Sequence, residues 1–166
     1  MRLARRVGPT GRVFAIELIP QTFQLLQRNL VENFPDTTIA LHRGVWDGRG
    51  EREALWIPLG PGGGLTAEGI ERFGSAQTVT VPTDTVDGIL AELEINWVDL
   101  LIVQLNGSET EAVAGMEKSL EFCKNMVIVA GERSDVDTLA VIRKRLEKHR
   151  YSVVVRGRAV YASKEK

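Results

Sequence analysis

Trp97-Val98-Asp99-Leu100-Leu101-Ile102-Val103-Gln104-Leu105 is the most apolar run in the chain. It is far shorter than the roughly 20 residues a membrane helix needs. A short apolar run that barely alternates suits a strand covered on both faces. The segment is therefore expected to be a central strand. Gln104 is its anomaly, because a buried strand gains nothing from an amide.

Other segments alternate around that run. Arg12 to Glu17 reads as a strand, and Pro20 to Asn33 as a helix whose first turn accepts the fixed φ of proline. Thr37 to His42 is a second short strand, and Asp47-Gly48-Arg49-Gly50 a tight turn. Glu51 to Pro58 alternates as a half-exposed strand does, before a glycine-rich loop at 60–64. Gln77 to Val81 is a strand by period and β-branching, and Asp84 to Leu93 an amphipathic helix. After the apolar run come a helix (Ser108 to Leu120), a strand (Asn125 to Ala130) and a helix (Val136 to His149). Tyr151 to Val155 and Arg158 to Ala162 form an antiparallel pair by their short connection. This alternation predicts an α/β fold with a mostly parallel sheet, helices on both faces and a C-terminal antiparallel hairpin.

The chain has 166 residues, 43% of them hydrophobic and 26% charged, which predicts one globular domain over 1–166. A net charge of −1 gives no electrostatic reason for a nucleic-acid or membrane partner. The single cysteine, Cys123, excludes an internal disulfide and a thiolate zinc cluster, and no metal site is expected. The N-terminus lacks an apolar core of signal-peptide length, so a cytoplasmic location is expected.

Three constellations could carry chemistry. Glu17 ends the first predicted strand, where open α/β sheets place ligands, and a carboxylate there can accept both hydroxyls of a ribose. Gly62-Gly63-Gly64-Leu65-Thr66-Ala67 matches G-x-G-x-x-A, with Asp84 downstream at fingerprint distance. The following segment is broken by Gly69 and Gly74, which suits a loop better than a dinucleotide turn. Gln104-Leu105-Asn106-Gly107-Ser108-Glu109 lies between the apolar strand and a helix. Ser108 and Glu111 there have the spacing of a helix cap, whereas Gln104, Asn106 and Glu109 have no such explanation.

The order of these motifs resembles the FkbM-type family of S-adenosylmethionine-dependent methyltransferases. Gly8-Pro9-Thr10-Gly11-Arg12-Val13-Phe14-Ala15-Ile16-Glu17 is similar to the family's vGptGrVxAfEP segment. His42 to Gly50 resembles its segment ending in Asp-x-x-Gly, Val81-Pro82-Thr83-Asp84 its vxxxtlD, and Trp97 to Glu109 its xxDxlKiDvEGxE. At 102–106 the family's Lys-x-Asp-x-Glu reads Ile-Val-Gln-Leu-Asn, so amides replace carboxylates. The resemblance implies a Rossmann-like class I methyltransferase fold whose first strand and glycine-rich turn are missing from residues 1–166. It implies that Glu17 holds the cofactor's ribose and that Val45 and Trp46 lie near its adenine. Gln104 would flank the cofactor, with Asn106 and Glu109 on the acceptor side as the catalytic candidates.

The expected function is O-methyl transfer from S-adenosylmethionine to a small molecule or sugar. A non-catalytic binding or assembly protein that keeps the fold is the alternative, and a dinucleotide-dependent oxidoreductase using Gly62 to Ala67 is a third reading. A gap left in mid-sheet would expose strand edges that invite pairing, so a homodimer or higher oligomer is expected.

Overall fold

The computed structural model describes residues 2–57, 63–64, 76–131, 133 and 135–164. Val13–Glu17 is β1, Pro20–Asn33 is α1 and Thr38–His42 is β2. Pro20 opens α1, and the helix closes where the Phe34 amide donates to the Leu30 carbonyl. β1 and β2 pair in parallel, from Val13 opposite Thr38 to Glu17 opposite His42.

Gly44–Val45 (β3) leads into Gly50–Trp56 (β4), then Gly63–Gly64 (β5) and Gln77–Asp84 (β6). These four make a second sheet in the order β3-β6-β4-β5. β6 runs three residues further than its sequence pattern suggests, so Asp84 ends a strand and does not open a helix. The cap is Thr85, whose hydroxyl accepts the Gly88 amide at 2.8 Å to start α2, Val86–Glu92.

Val98–Val103 is β7, followed by short helices Glu109–Ala114 (α3) and Ser119–Phe122 (α4). The single helix expected over 108–120 is broken at Gly115, where a Cβ would stand 2.7 Å from the Trp46 carbonyl oxygen. Cys123–Val129 (β8), Thr138–Lys148 (α5), Ser152–Arg156 (β9) and Ala159–Ser163 (β10) complete the chain. The third sheet has the order β7-β8-β10-β9, with β7 and β8 parallel and β10 antiparallel to both its neighbours. The C-terminal hairpin is thus present as expected.

Two expectations are corrected. Among the described residues the sheet is not mostly parallel: three pairings are parallel (β1–β2, β3–β6, β7–β8) and four antiparallel, divided among three sheets. The long β4–β6 ladder is the main reason, since its hairpin-like return adds antiparallel pairing in mid-chain. The apolar run is also not central among the described residues. β7 stands at an edge, with Leu100 42% and Ile102 49% exposed.

The main core lies under β7, β8 and β10 and is closed by α3, α4 and α5. Met116, Leu120, Ile128, Ile142 and Leu146 are fully buried there, each worth about 1.5–3 kcal/mol of transfer free energy. Leu41 of β2 packs on the same cluster, which ties the two-stranded sheet to it. Cys123 is buried in this core and its thiol is pushed up to about 12 by desolvation, as befits a packing residue. No helix among the described residues is long and apolar enough to cross a membrane.

Candidate functional site

The parallel strands β1 and β7 both end beside β5. A Cβ on Gly63 would lie 2.8 Å from Ile19 Cδ1, two residues past β1. A Cβ on Gly64 would lie 3.5 Å from the Leu105 oxygen, two residues past β7. Asn106 Nδ2 donates to the Gly63 carbonyl at 3.0 Å. The segments after β1 and β7 both touch β5, and these carboxyl ends are the two rims of the candidate cleft, the place where α/β sheets bind ligands.

Glu17 stands half-buried on the first rim. Its Oε1 accepts the Ile19 amide at 2.8 Å, which fixes the side chain, and no other partner for the carboxylate is present among the described residues. The Glu17 backbone oxygen accepts the Arg43 amide at 3.1 Å, so the chain leaves β2 directly beside this acid. His42 stacks on Phe23 at 4.9 Å between ring centroids and bonds the Leu18 carbonyl at 3.1 Å, bracing the same rim.

Val45 and Trp46 follow, and they separate. Val45 is buried in the main core, pairs with Asp84 and presents no side chain to the cleft. Trp46 is half-buried, its amide donating to the Asp84 carbonyl at 2.9 Å. The Arg52 guanidinium lies 4.2 Å from the Trp46 ring centroid and covers one of its faces.

On the second rim, Gln104 and Asn106 are both exposed. Asn106 has φ +56° and Gly107 φ +115°, a turn that asparagine tolerates and only glycine completes without strain. Glu109 departs from its expected place on the acceptor side. It is fully buried, and its carboxylate accepts three backbone N–H groups: Leu105 at 2.8 Å, Gly107 at 3.1 Å and Gly131 at 3.0 Å. It braces the β7–α3 turn from beneath. The Ser108 hydroxyl makes no cap bond, and Glu111 turns instead to Arg133.

Sequence reasoning missed the ionic groups around the cleft. Arg43 pairs with Glu92 at 2.8 Å and lies 3.7 Å from the buried Asp84, which Arg49 also approaches at 3.7 Å. The Glu92 bond raises the Arg43 pKa and holds Glu92 below its ordinary value. Asp84, the acid at fingerprint distance, accepts the Thr85 amide at 2.8 Å through Oδ1 and turns Oδ2 toward the two arginines. The rest of that fingerprint, apart from Gly63 and Gly64, lies outside the described residues. Arg133 donates to Glu111 at 2.6 Å, to Asp135 at 2.6 Å and to the Gly107 carbonyl at 3.3 Å. Burial pulls Glu111 upward, but the Arg133 and Thr110 bonds outweigh it and hold the acid low. Nothing in the spacing of Arg133 announces this role. Asp84 stood out in sequence only by its distance from the glycine-rich loop, and nothing local pairs it with Arg43 or Arg49.

Comparison with known proteins decides the lineage of this architecture. The Methyltransferase FkbM domain matches over residues 1–153. The chain belongs to the FkbM methyltransferase family. Its fold is similar to the crystal structure of the methyltransferase FkbM from Methylobacillus flagellatus KT, with a TM-score of 0.63 and 18% identity. That match covers 97% of this chain and 40% of the solved one, so the FkbM region here spans less than half the length of that relative. No curated protein matches the sequence.

Proposed function

We propose that this FkbM domain is an S-adenosylmethionine-dependent methyltransferase of Rossmann-like class I type, acting on a hydroxyl of a small molecule or sugar. The observation that carries the reading is Glu17. It is a half-buried carboxylate at the tip of a parallel strand, fixed through one oxygen and, among the described residues, without a partner at the other. Such a group suits the two hydroxyls of a ribose. On this reading the half-buried Trp46, which follows β3, is the ring that stacks on the adenine.

Gln104 and Asn106 on the opposite rim supply amides that orient an acceptor. An amide takes no proton near neutral pH, so on this reading the domain works by holding methyl donor and acceptor in line. The amides also favour a second reading, a domain that binds the cofactor or its product without turnover. Calorimetry with S-adenosylmethionine, S-adenosylhomocysteine and NAD tests both. Binding of the two methionine-derived ligands supports the cofactor assignment, and methylated product in a sugar or small-alcohol panel separates enzyme from binder. Binding of NAD alone sinks both readings.

A further inference from the structure

A cavity opens beside the C-terminal hairpin, at the far end of its sheet from the candidate cleft. Ser163 of β10 lies opposite Asn125, near the start of β8, and opposite Ser152 of β9. The Glu109–Gly131 bond lies past the other end of β8. The cavity has a volume of about 830 Å³ and is lined by Glu121, residues 148–152, Ser163 and Lys164. Pockets that take small molecules span roughly 300–1,000 Å³. Four basic side chains meet here, Lys148, His149, Arg150 and Lys164, against one acid, Glu121. In a chain of net charge −1 this is a local excess of positive charge.

Two of the basic groups are anchored. Lys164 Nζ donates to the Leu120 carbonyl at 2.6 Å and lies 4.8 Å from the centroid of the Tyr151 ring. Tyr151 is buried, and its hydroxyl reaches the Leu120 and Cys123 carbonyls at 2.9 and 2.5 Å, which fixes the ring under Lys164. His149 Nδ1 lies 3.2 Å from Glu121 Oε1. The other two, Lys148 and Arg150, are exposed and form no ion pair among the described residues. Glu121 is the anion already present. Its Oε2 stands 3.8 Å from Lys164. The His149 bond, then Lys164 and Arg150, hold its carboxyl below the ordinary value. Its side chain is 69% exposed and is carried on the short helix α4, so it is free to swing into solvent.

We infer that this cavity is a binding site for a phosphorylated small molecule, whose phosphate oxygens are received by Lys148, Arg150 and Lys164 in exchange for the Glu121 carboxylate. The planar fork of arginine meets two phosphate oxygens at once, and lysine adds a point charge. Ser152 and Ser163 line the same cavity and bring hydroxyl donors. The site stands at the opposite end of the sheet from Glu17 and Asn106, so it does not depend on what the cleft binds.

Calorimetry with inorganic pyrophosphate at low ionic strength tests this on the 166-residue chain. Saturable binding is expected, with a dissociation constant below about 1 mM. Lys148→Gln combined with Arg150→Gln should weaken it by at least about tenfold. Arg5→Gln combined with Arg28→Gln removes the same charge outside the cavity and should change it by less than about twofold. Glu121→Gln removes the competing carboxylate and should tighten binding by at least about threefold. That opposite sign separates a site from damage to the fold, which weakens binding in every variant. A nucleoside diphosphate carries the same group on a larger body. Affinity no higher than that of pyrophosphate assigns the site to the phosphate groups alone, and higher affinity to a nucleotide. Either supports the proposal when the Lys148 and Arg150 variant loses it. The proposal is overturned if pyrophosphate does not saturate, if that variant binds as tightly as the parent, if the Arg5 and Arg28 variant weakens binding as much, or if Glu121→Gln binds no tighter.

Discussion

Glu109 Oε2 accepts the backbone N–H of Gly131 at 3.0 Å, joining the turn after β7 to the turn after β8 across 22 residues of chain. The same carboxylate holds Leu105 and Gly107, so one buried charge fixes the backbone that presents Gln104 and Asn106. Among the described residues its hydrogen-bond partners are backbone amides. Glu109→Gln keeps the shape but turns one oxygen into a donor that meets an N–H. Breaking a buried charge-assisted bond and leaving a donor unpaired should cost about 2–4 kcal/mol. Urea denaturation at neutral pH reads this directly, and a loss under about 1 kcal/mol would refute the bracing role.

Gly131 makes its own prediction. A Cβ there would collide with the Gly107 backbone nitrogen and lie 2.6 Å from its Cα. The obstacle is backbone, which cannot swing aside as a side chain can. Gly131→Ala should destabilise the fold by about 1–3 kcal/mol. Because it pushes apart the turns that Glu109 joins, combining it with Glu109→Gln should cost less than the two losses added. Strict additivity in the double variant would mean that the two act on separate structures.

How far the sequence foretold this architecture depends on the kind of signal. α1 was legible to the residue because Pro20 opens it and its pattern runs unbroken to Asn33. The C-terminal hairpin was legible because Arg156-Gly157 leaves room only for a tight return. The place of β7 was not. Its apolar pattern reports what the strand can be covered by, and among the described residues its outer edge has no partner strand. That Glu17 ends β1 was legible because strand ends are local. Glu109 was misread because its three partners come from both sides of it in sequence, and Gly131 is supplied by a distant turn. Arg133, Arg43 and Arg49 act through contacts between separate elements, which no local pattern encodes.

The Arg133 cluster sets an acid limit. Hydrogen bonds from Arg133 lower the Asp135 pKa, and they outweigh burial in lowering that of Glu111. Depressed carboxyl values contribute stability that is fully present above the ordinary values, about 4.3 for Glu and 3.9 for Asp. That contribution disappears as pH falls through the lower folded-state values. Arg133→Met should therefore be less stable than the parent near neutral pH, and the gap should close as pH is lowered below about 4. Urea midpoints measured across that range check it. A gap that stays constant or widens in acid would show that Arg133 acts by packing alone.

Glu17 separates binding from folding most cleanly. Its Oε1 is occupied by the Ile19 amide, and glutamine retains an oxygen for that bond. On the proposed reading, what glutamine loses is the negative acceptor for the ribose hydroxyls. Hydrogen bonds to a charged group contribute about 1.5–3 kcal/mol each, so losing one corresponds to roughly a ten- to hundredfold weaker dissociation constant. Glu17→Gln should weaken S-adenosylhomocysteine binding by at least about tenfold. Its denaturation midpoint should stay close to that of the parent, because the cap on Ile19 survives. Glu17→Ala removes both functions and should lower affinity and stability together. If Glu17→Gln instead bound the ligand as tightly as the parent, the ribose would be held elsewhere, and Glu17 would be left with only its bond to Ile19.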